Sequence, residues 1–133
     1  MNGQTLNIGH RFATLCDASL DPATFTHRDH VICAAYALQN YDFFEAAHLY
    51  ANGLKALVAK AGVPEKFNAT VTFAFLSVIA QKMVLYPDVP AEDLPDCCPE
   101  LLQKDVLSAW YSKETLASDL ARKIPVLPEI QVA

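Results

Sequence analysis

Positive charge is scarce in this chain. Its 10 Lys and Arg stand against 15 Asp and Glu, leaving a formal net charge of −5. So few cations cannot be gathered into a patch that neutralises a phosphate backbone, so no nucleic acid is expected as a partner and no anionic membrane surface either. Glycine is sparse too: Gly3, Gly9, Gly53 and Gly62 stand apart from one another, which removes the glycine-rich phosphate loops. Also absent are Gly-x-Ser-x-Gly, HExxH and the set of inward carboxylates that helical di-iron proteins carry. No stretch approaches the ~20 apolar residues of a membrane span, and the opening Met-Asn-Gly-Gln-Thr-Leu lacks the basic start and apolar run of a signal peptide. The chain is therefore read as cytoplasmic. Cys16, Cys33, Cys97 and Cys98 show neither CxxC spacing nor the density of a disulfide framework and are read as free; a bond within Cys97-Cys98 would close a strained ring.

What is present is apolar. Hydrophobic residues make up 53% of the 133 and charged residues only 19%. A chain of this length forms one domain, 1–133, that buries roughly two thirds of its unfolded surface. The apolar excess points to surface used by a partner, and a homodimer is expected, with Tyr36 and Phe73 turned away from the faces assigned to the core.

The periodicity predicts a single all-α bundle of about five or six helices organised around Phe67–Tyr86, the most apolar stretch. Wound as a helix, that stretch places Asn68, Val71, Thr72, Phe75, Ile79 and Met83 on one face and Thr70, Ser77 and Gln81 on the other. A short helix is predicted over 5–16. Thr26 and Asp29 form a capping pattern opening a helix to about Gln39, and Asp42 with Glu45 repeats it for a helix over 43–61 that Gly62 and Pro64 stop. In that helix Ala46, Ala47 and Gly53 would let another helix approach closely. Pro87, Pro90, Pro95 and Pro99 make 86–99 a stiff acidic connector or a lid. Pro99 then opens a short helix running on through Leu107, Trp110-Tyr111 packs a corner, and Ser112 caps a last helix through Lys123 with Leu116 and Leu120 inward.

Only one constellation carries chemistry. His27 and His30, at i and i+3, share a helical face directed to the core, and if the first turn of the Phe67 helix lies nearby, Asn68 and Thr72 join them in a small polar pocket. The positive end of the helix macrodipole disfavours imidazolium there, so both histidines should be neutral and able to accept a hydrogen bond. Two imidazoles and a neutral amide make a poor metal site, so no cofactor is expected and a divalent metal would be held only weakly by His27 and His30. His10 and His48 are read as solvated. Two functions stay open: a protein of unknown function whose pocket binds a small molecule or does acid–base chemistry on it, and an interaction module in which the histidines are structural.

Three segments, Leu20 to His30, Lys66 to Thr72 and Trp110 to Arg122, resemble an uncharacterised family of small bacterial all-helical proteins of unknown function. That family has an FxHxxH segment, matched by Phe25, His27 and His30, and a Tyr-His-x-Thr-x-Thr segment, matched by Phe67, Asn68, Thr70 and Thr72. Tyr111, Ser112, Ala121 and Arg122 match its late motif. The departures at Phe67 and Asn68 remove a phenol and a third imidazole. If that imidazole acts in the relatives, the resemblance implies an altered or inactive member here, and it implies a place for the site without a reaction.

Overall fold

The computed structural model describes residues 8–129, and over them the chain is all-α, without a strand. Four longer helices, α1 (Ile8–Cys16), α2 (His27–Asn40), α3 (Phe43–Lys60) and α4 (Ala69–Leu85), are followed by three short ones, α5 (Leu94–Cys97), α6 (Lys113–Leu116) and α7 (Asp119–Lys123). The parts of the first helix expected at 5–7 and of the tail at 130–133 lie outside the described residues. Among the described residues no helix is long and apolar enough to cross a membrane.

The helix starts follow from local chemistry. The Thr26 hydroxyl accepts from the Asp29 backbone N–H at 3.2 Å while the Asp29 carboxylate accepts from the Thr26 N–H at 2.9 Å, which fixes the first residue of α2 as His27. Such a cap is worth about 1 kcal/mol. Asp29 also takes a 3.0 Å ion pair from Arg11, fastening α1 to the same turn. Burial works against this carboxylate, but the Thr26 N–H and the Arg11 guanidinium together hold it below its usual range. Asp42 caps α3 by accepting from the Glu45 N–H at 2.9 Å. Gly53 lies where α1 crosses α3: a Cβ there would stand 2.7 Å from Leu15 Cγ, so the crossing needs the glycine.

The centre of the bundle is α2 and not α4. α2 packs against α1, α3, α4, α5 and the turns Ala91–Asp93 and Pro99–Leu102, and its Val31, Cys33, Ala34, Ala35 and Ala37 are completely buried. The helix that hydropathy singled out covers one side only, leaving Phe73, Val84 and Leu85 exposed. The reason is size: alanine and cysteine let neighbouring backbones approach from several directions, whereas the larger side chains of α4 hold neighbours off. Tyr36 is likewise not a free surface residue; it stacks on Phe12 of α1 with ring centroids 5.5 Å apart.

Three further expectations are revised. The proline-rich connector is not wholly a surface strap, because Ala91, Leu94, Pro95 and Cys98 are buried against α2 while Tyr86, Pro87, Asp88, Asp93 and Asp96 stay exposed; prolines at the first positions of short helical turns shape the backbone so that the buried side chains point inward. The helix expected from Pro99 stops at Leu102, after which 103–110 is a succession of turns. The last helix is two pieces, because the Ser118 hydroxyl accepts from the Ala121 N–H at 3.1 Å and starts a new cap; Leu120 is then exposed and Ala121 buried, and at the preceding corner Trp110 is exposed while Tyr111 is buried.

The end of the described chain is tied back to α4. Thr70, assigned by its periodicity to the face opposite Asn68, is buried, donates to the Ile124 carbonyl at 2.8 Å and accepts from the Val126 N–H at 3.0 Å. The Tyr111 hydroxyl donates to the Val126 carbonyl at 2.9 Å, and Ser112 donates its backbone N–H to Glu129.

Candidate functional site

His30 is the fourth residue of α2, where Phe25 covers its ring at 4.6 Å and the Tyr50 hydroxyl of α3 reaches Nδ1. The Tyr50 hydroxyl lies 3.2 Å from the His30 carbonyl and 3.4 Å from Nδ1, holding the ring by one edge. Nε2 has no hydrogen-bond partner among the described residues. Burial, then the neighbouring His27, push His30 down to about 4 against the weaker pull of Asp29, so the ring is neutral at pH 7.

His27 does not point into the core. As the first residue of α2 its ring reaches over the helix end, is exposed, and donates from Nε2 to the Leu101 carbonyl at 3.2 Å. The two imidazole centroids are 6.1 Å apart, and Phe75 of α4 closes on His27 at 5.8 Å.

Asn68 is a cap. Helix α4 begins at Ala69, one residue past it and two past the expected start, with the Asn68 Oδ1 accepting from the Val71 N–H at 2.9 Å and Nδ2 donating to the Leu116 carbonyl at 2.7 Å. Each end of the amide therefore makes one bond that holds α4 against α6, leaving one N–H and one oxygen lone pair beyond the cap. Thr72 follows on the first turn of α4 and is largely buried.

His27, His30, Asn68 and Thr72 all line one cavity of about 730 Å³. Its walls come from α2, α3 and α4 and from the turns between Leu102 and Leu116. The inner surface is made by Tyr50, Leu54, Leu57, Val71, Phe75 and Leu107. That size falls in the range of about 300–1,000 Å³ typical of small-molecule sites, and an apolar wall with a few convergent polar atoms is their usual make-up. Among the described residues no three His, Cys, Asp or Glu side chains gather into a set able to hold a metal ion.

Sequence reasoning missed three contributors. Tyr50 reads as one more member of the α3 apolar stripe, yet its hydroxyl meets both Nδ1 and the carbonyl of His30; a tyrosine in an otherwise aliphatic stripe is the signal, since a buried phenol needs a partner. Its ionisation is pushed well above the ordinary value by burial and the adjacent Cys33. Tyr111 had been placed at a corner but lines the cavity. The third contribution is Lys66, Lys104 and Lys113, which stand on separate turns and show no common periodicity. No family model, no curated protein and no solved structure matches this chain, so the cavity's geometry and chemistry are what its function has to be read from.

Proposed function

We propose that this protein binds a small organic molecule in the cavity beside His30, and that it holds that molecule rather than transforming it by acid–base chemistry. The observation that carries the reading is a neutral His30, held by Tyr50 at Nδ1 and unpartnered at Nε2, on the wall of an apolar cavity of about 730 Å³. An imidazole pushed down to about 4 is a good hydrogen-bond acceptor at neutral pH but a weak proton acceptor, and general bases work best when their pKa lies near the working pH. Binding is favoured over catalysis on that ground. Thr72 and the exposed edge of His27 add polar atoms for orientation.

The family resemblance is part of this proposal: the FxHxxH and Phe67–Thr72 segments meet at the cavity, with Asn68 serving here as a helix cap. We further propose a cytoplasmic protein that needs no resident cofactor, holds a divalent metal only weakly, and has neither nucleic acid nor membrane as partner. Self-association now rests on Phe44 and Phe73, both exposed, the latter edge-on to Phe43 with centroids 5.6 Å apart. A clean monomer by sedimentation at tens of micromolar would remove the homodimer.

The test of the binding reading is a thermal-shift screen of small molecules on wild type and on Val71→Trp, whose indole would fill the cavity. Compounds that stabilise wild type and not the variant support it. No stabilising compound, or equal stabilisation of both proteins, together with a loss of several degrees in His27→Ala, would favour the interaction module with structural histidines.

A further inference from the structure

Resting on that binding reading, we propose that the ligand is an anionic amphiphile, an apolar body ending in a single acidic group, with the acid at the mouth of the cavity among Lys66, Lys104 and Lys113. The chain has seven lysines, and three of them line this one cavity, opposed there by Asp105 alone among acidic residues. They arrive from three different places: the turn before α4, the turns after Leu102 and the first position of α6. All three are exposed, and none belongs to an ion pair among the described residues. In a protein of net charge −5 this is a local reversal of sign, and it coincides with an apolar cavity.

The interior dictates the orientation. Leu54, Leu57, Val71, Phe75 and Leu107 offer hydrocarbon, and apart from the exposed His27 the polar groups among them are neutral: His30, Thr72, the Tyr50 and Tyr111 hydroxyls and the Asn68 amide. An acid placed against that wall would be a buried charge without a counter-ion, which is strongly unfavourable, whereas at the rim it keeps water and meets ammonium groups. The apolar body therefore lies inward, and a hydroxyl on its far end, able to donate or accept, suits His30 Nε2 in either tautomer. Lysines suit this task because they are mobile point charges that adapt to an acid at a wet rim.

The experiment compares matched probes by calorimetry or displacement of a fluorescent fatty acid: decanoate, decyl phosphate, decanol and decyltrimethylammonium, on wild type, on Val71→Trp, and on Lys104→Gln, Lys113→Gln and their double variant, with Lys60→Gln as a control away from the cavity. Decanoate or decyl phosphate should bind wild type at least tenfold tighter than decanol and lose affinity on Val71→Trp. Each lysine variant should weaken the anion about twofold to fivefold, as expected for a partly solvated ion pair, with decanol and the Lys60 control unmoved. Raising the salt concentration should weaken the anions alone. The tighter of the two anions identifies the acid. Decanol or the ammonium binding as well as the anions, with loss on Val71→Trp, would overturn the anionic class while leaving the pocket reading standing. Binding by none of the four, or binding untouched by Val71→Trp, would overturn both.

Discussion

Helices α2 and α4 are of similar length and opposite character. α4 is by far the more apolar, yet it lies on one side of the bundle with Phe73, Val84 and Leu85 in solvent; α2 carries His27, Arg28, Asp29 and His30 in its first turn and still sits at the centre with five residues completely buried. Centrality here is a matter of how many neighbours a helix can touch, and small side chains touch more neighbours per turn than large ones. The polar first turn is tolerated because each of its charges is placed: Asp29 on Arg11, Arg28 on Asp96 at 2.9 Å, and His30 uncharged. Hydropathy sees the sum of a segment's side chains and is blind to their reach.

That contrast breaks most readily by enlarging α2. Ala35→Leu should destabilise by roughly 3 kcal/mol or more in urea unfolding, since the added atoms have no empty space to enter. If it costs under about 1 kcal/mol, α2 is not the packed centre described above. Next comes acidity. His30 has a folded-state pKa of about 4 against 6.5 unfolded, so as pH falls the unfolded chain takes the proton first. The stabilisation from neutral His30 is complete above pH 6.5 and drains away as pH approaches 4, on the order of 3 kcal/mol in all. His30→Gln should flatten stability measured between about pH 6.5 and 5.5, where ordinary carboxylates stay almost fully ionised; an unchanged slope would mean that His30 is solvated. α4 carries no titratable group buried in this way. Its polar contribution is Thr70, and Thr70→Val should cost about 1–3 kcal/mol by stranding the Ile124 carbonyl and the Val126 N–H. The smallest effect belongs to the outer face of α4, where Val84→Ser should stay within about 0.5 kcal/mol. A larger drop that depends on protein concentration would instead show this face covered by a second copy.

Much of the fold was legible because it is written in nearest-neighbour chemistry. Thr26 with Asp29, and Asp42 with the Glu45 backbone, announce their helices within four residues, and Gly62 at φ 81 marks the end of α3. The start of α4 was displaced because an asparagine is both a plausible face residue and a cap, and only the Leu116 carbonyl, 48 residues away, shows which role it takes. The connector after Tyr86 was misjudged for a related reason: proline and acid content describe its exposed side, while Leu94 and Leu101, which fasten it to α2, are too few to make a period. In the site, His27, His30, Asn68 and Thr72 were found as a set because helical spacing aligns them, but the exposure of His27 could not be, since it depends on a ring leaning over the helix end to the Leu101 carbonyl. The lysines of the rim escaped altogether, arriving from turns whose meeting is a property of the finished fold.

The tie between Thr70 and the backbone at Ile124 and Val126 bears on the order in which the molecule can be made. A chain emerging from the ribosome exposes α1 to α4 first, and α2 can gather α1 and α3 through short connections before the rest exists. The cavity cannot be completed in that interval, because its wall from Leu102 to Leu116 is not yet made, and the segment that Tyr111 of that wall bonds at the Val126 carbonyl is itself tied to Thr70 by contacts spanning 54 and 56 residues. Synthesis stalled before residue 124 would thus leave a collapsed helical core with an open hydrocarbon trough, the kind of surface that chaperones engage and that aggregates when left alone. Closure of that trough therefore marks the point at which the described chain has reached its folded form.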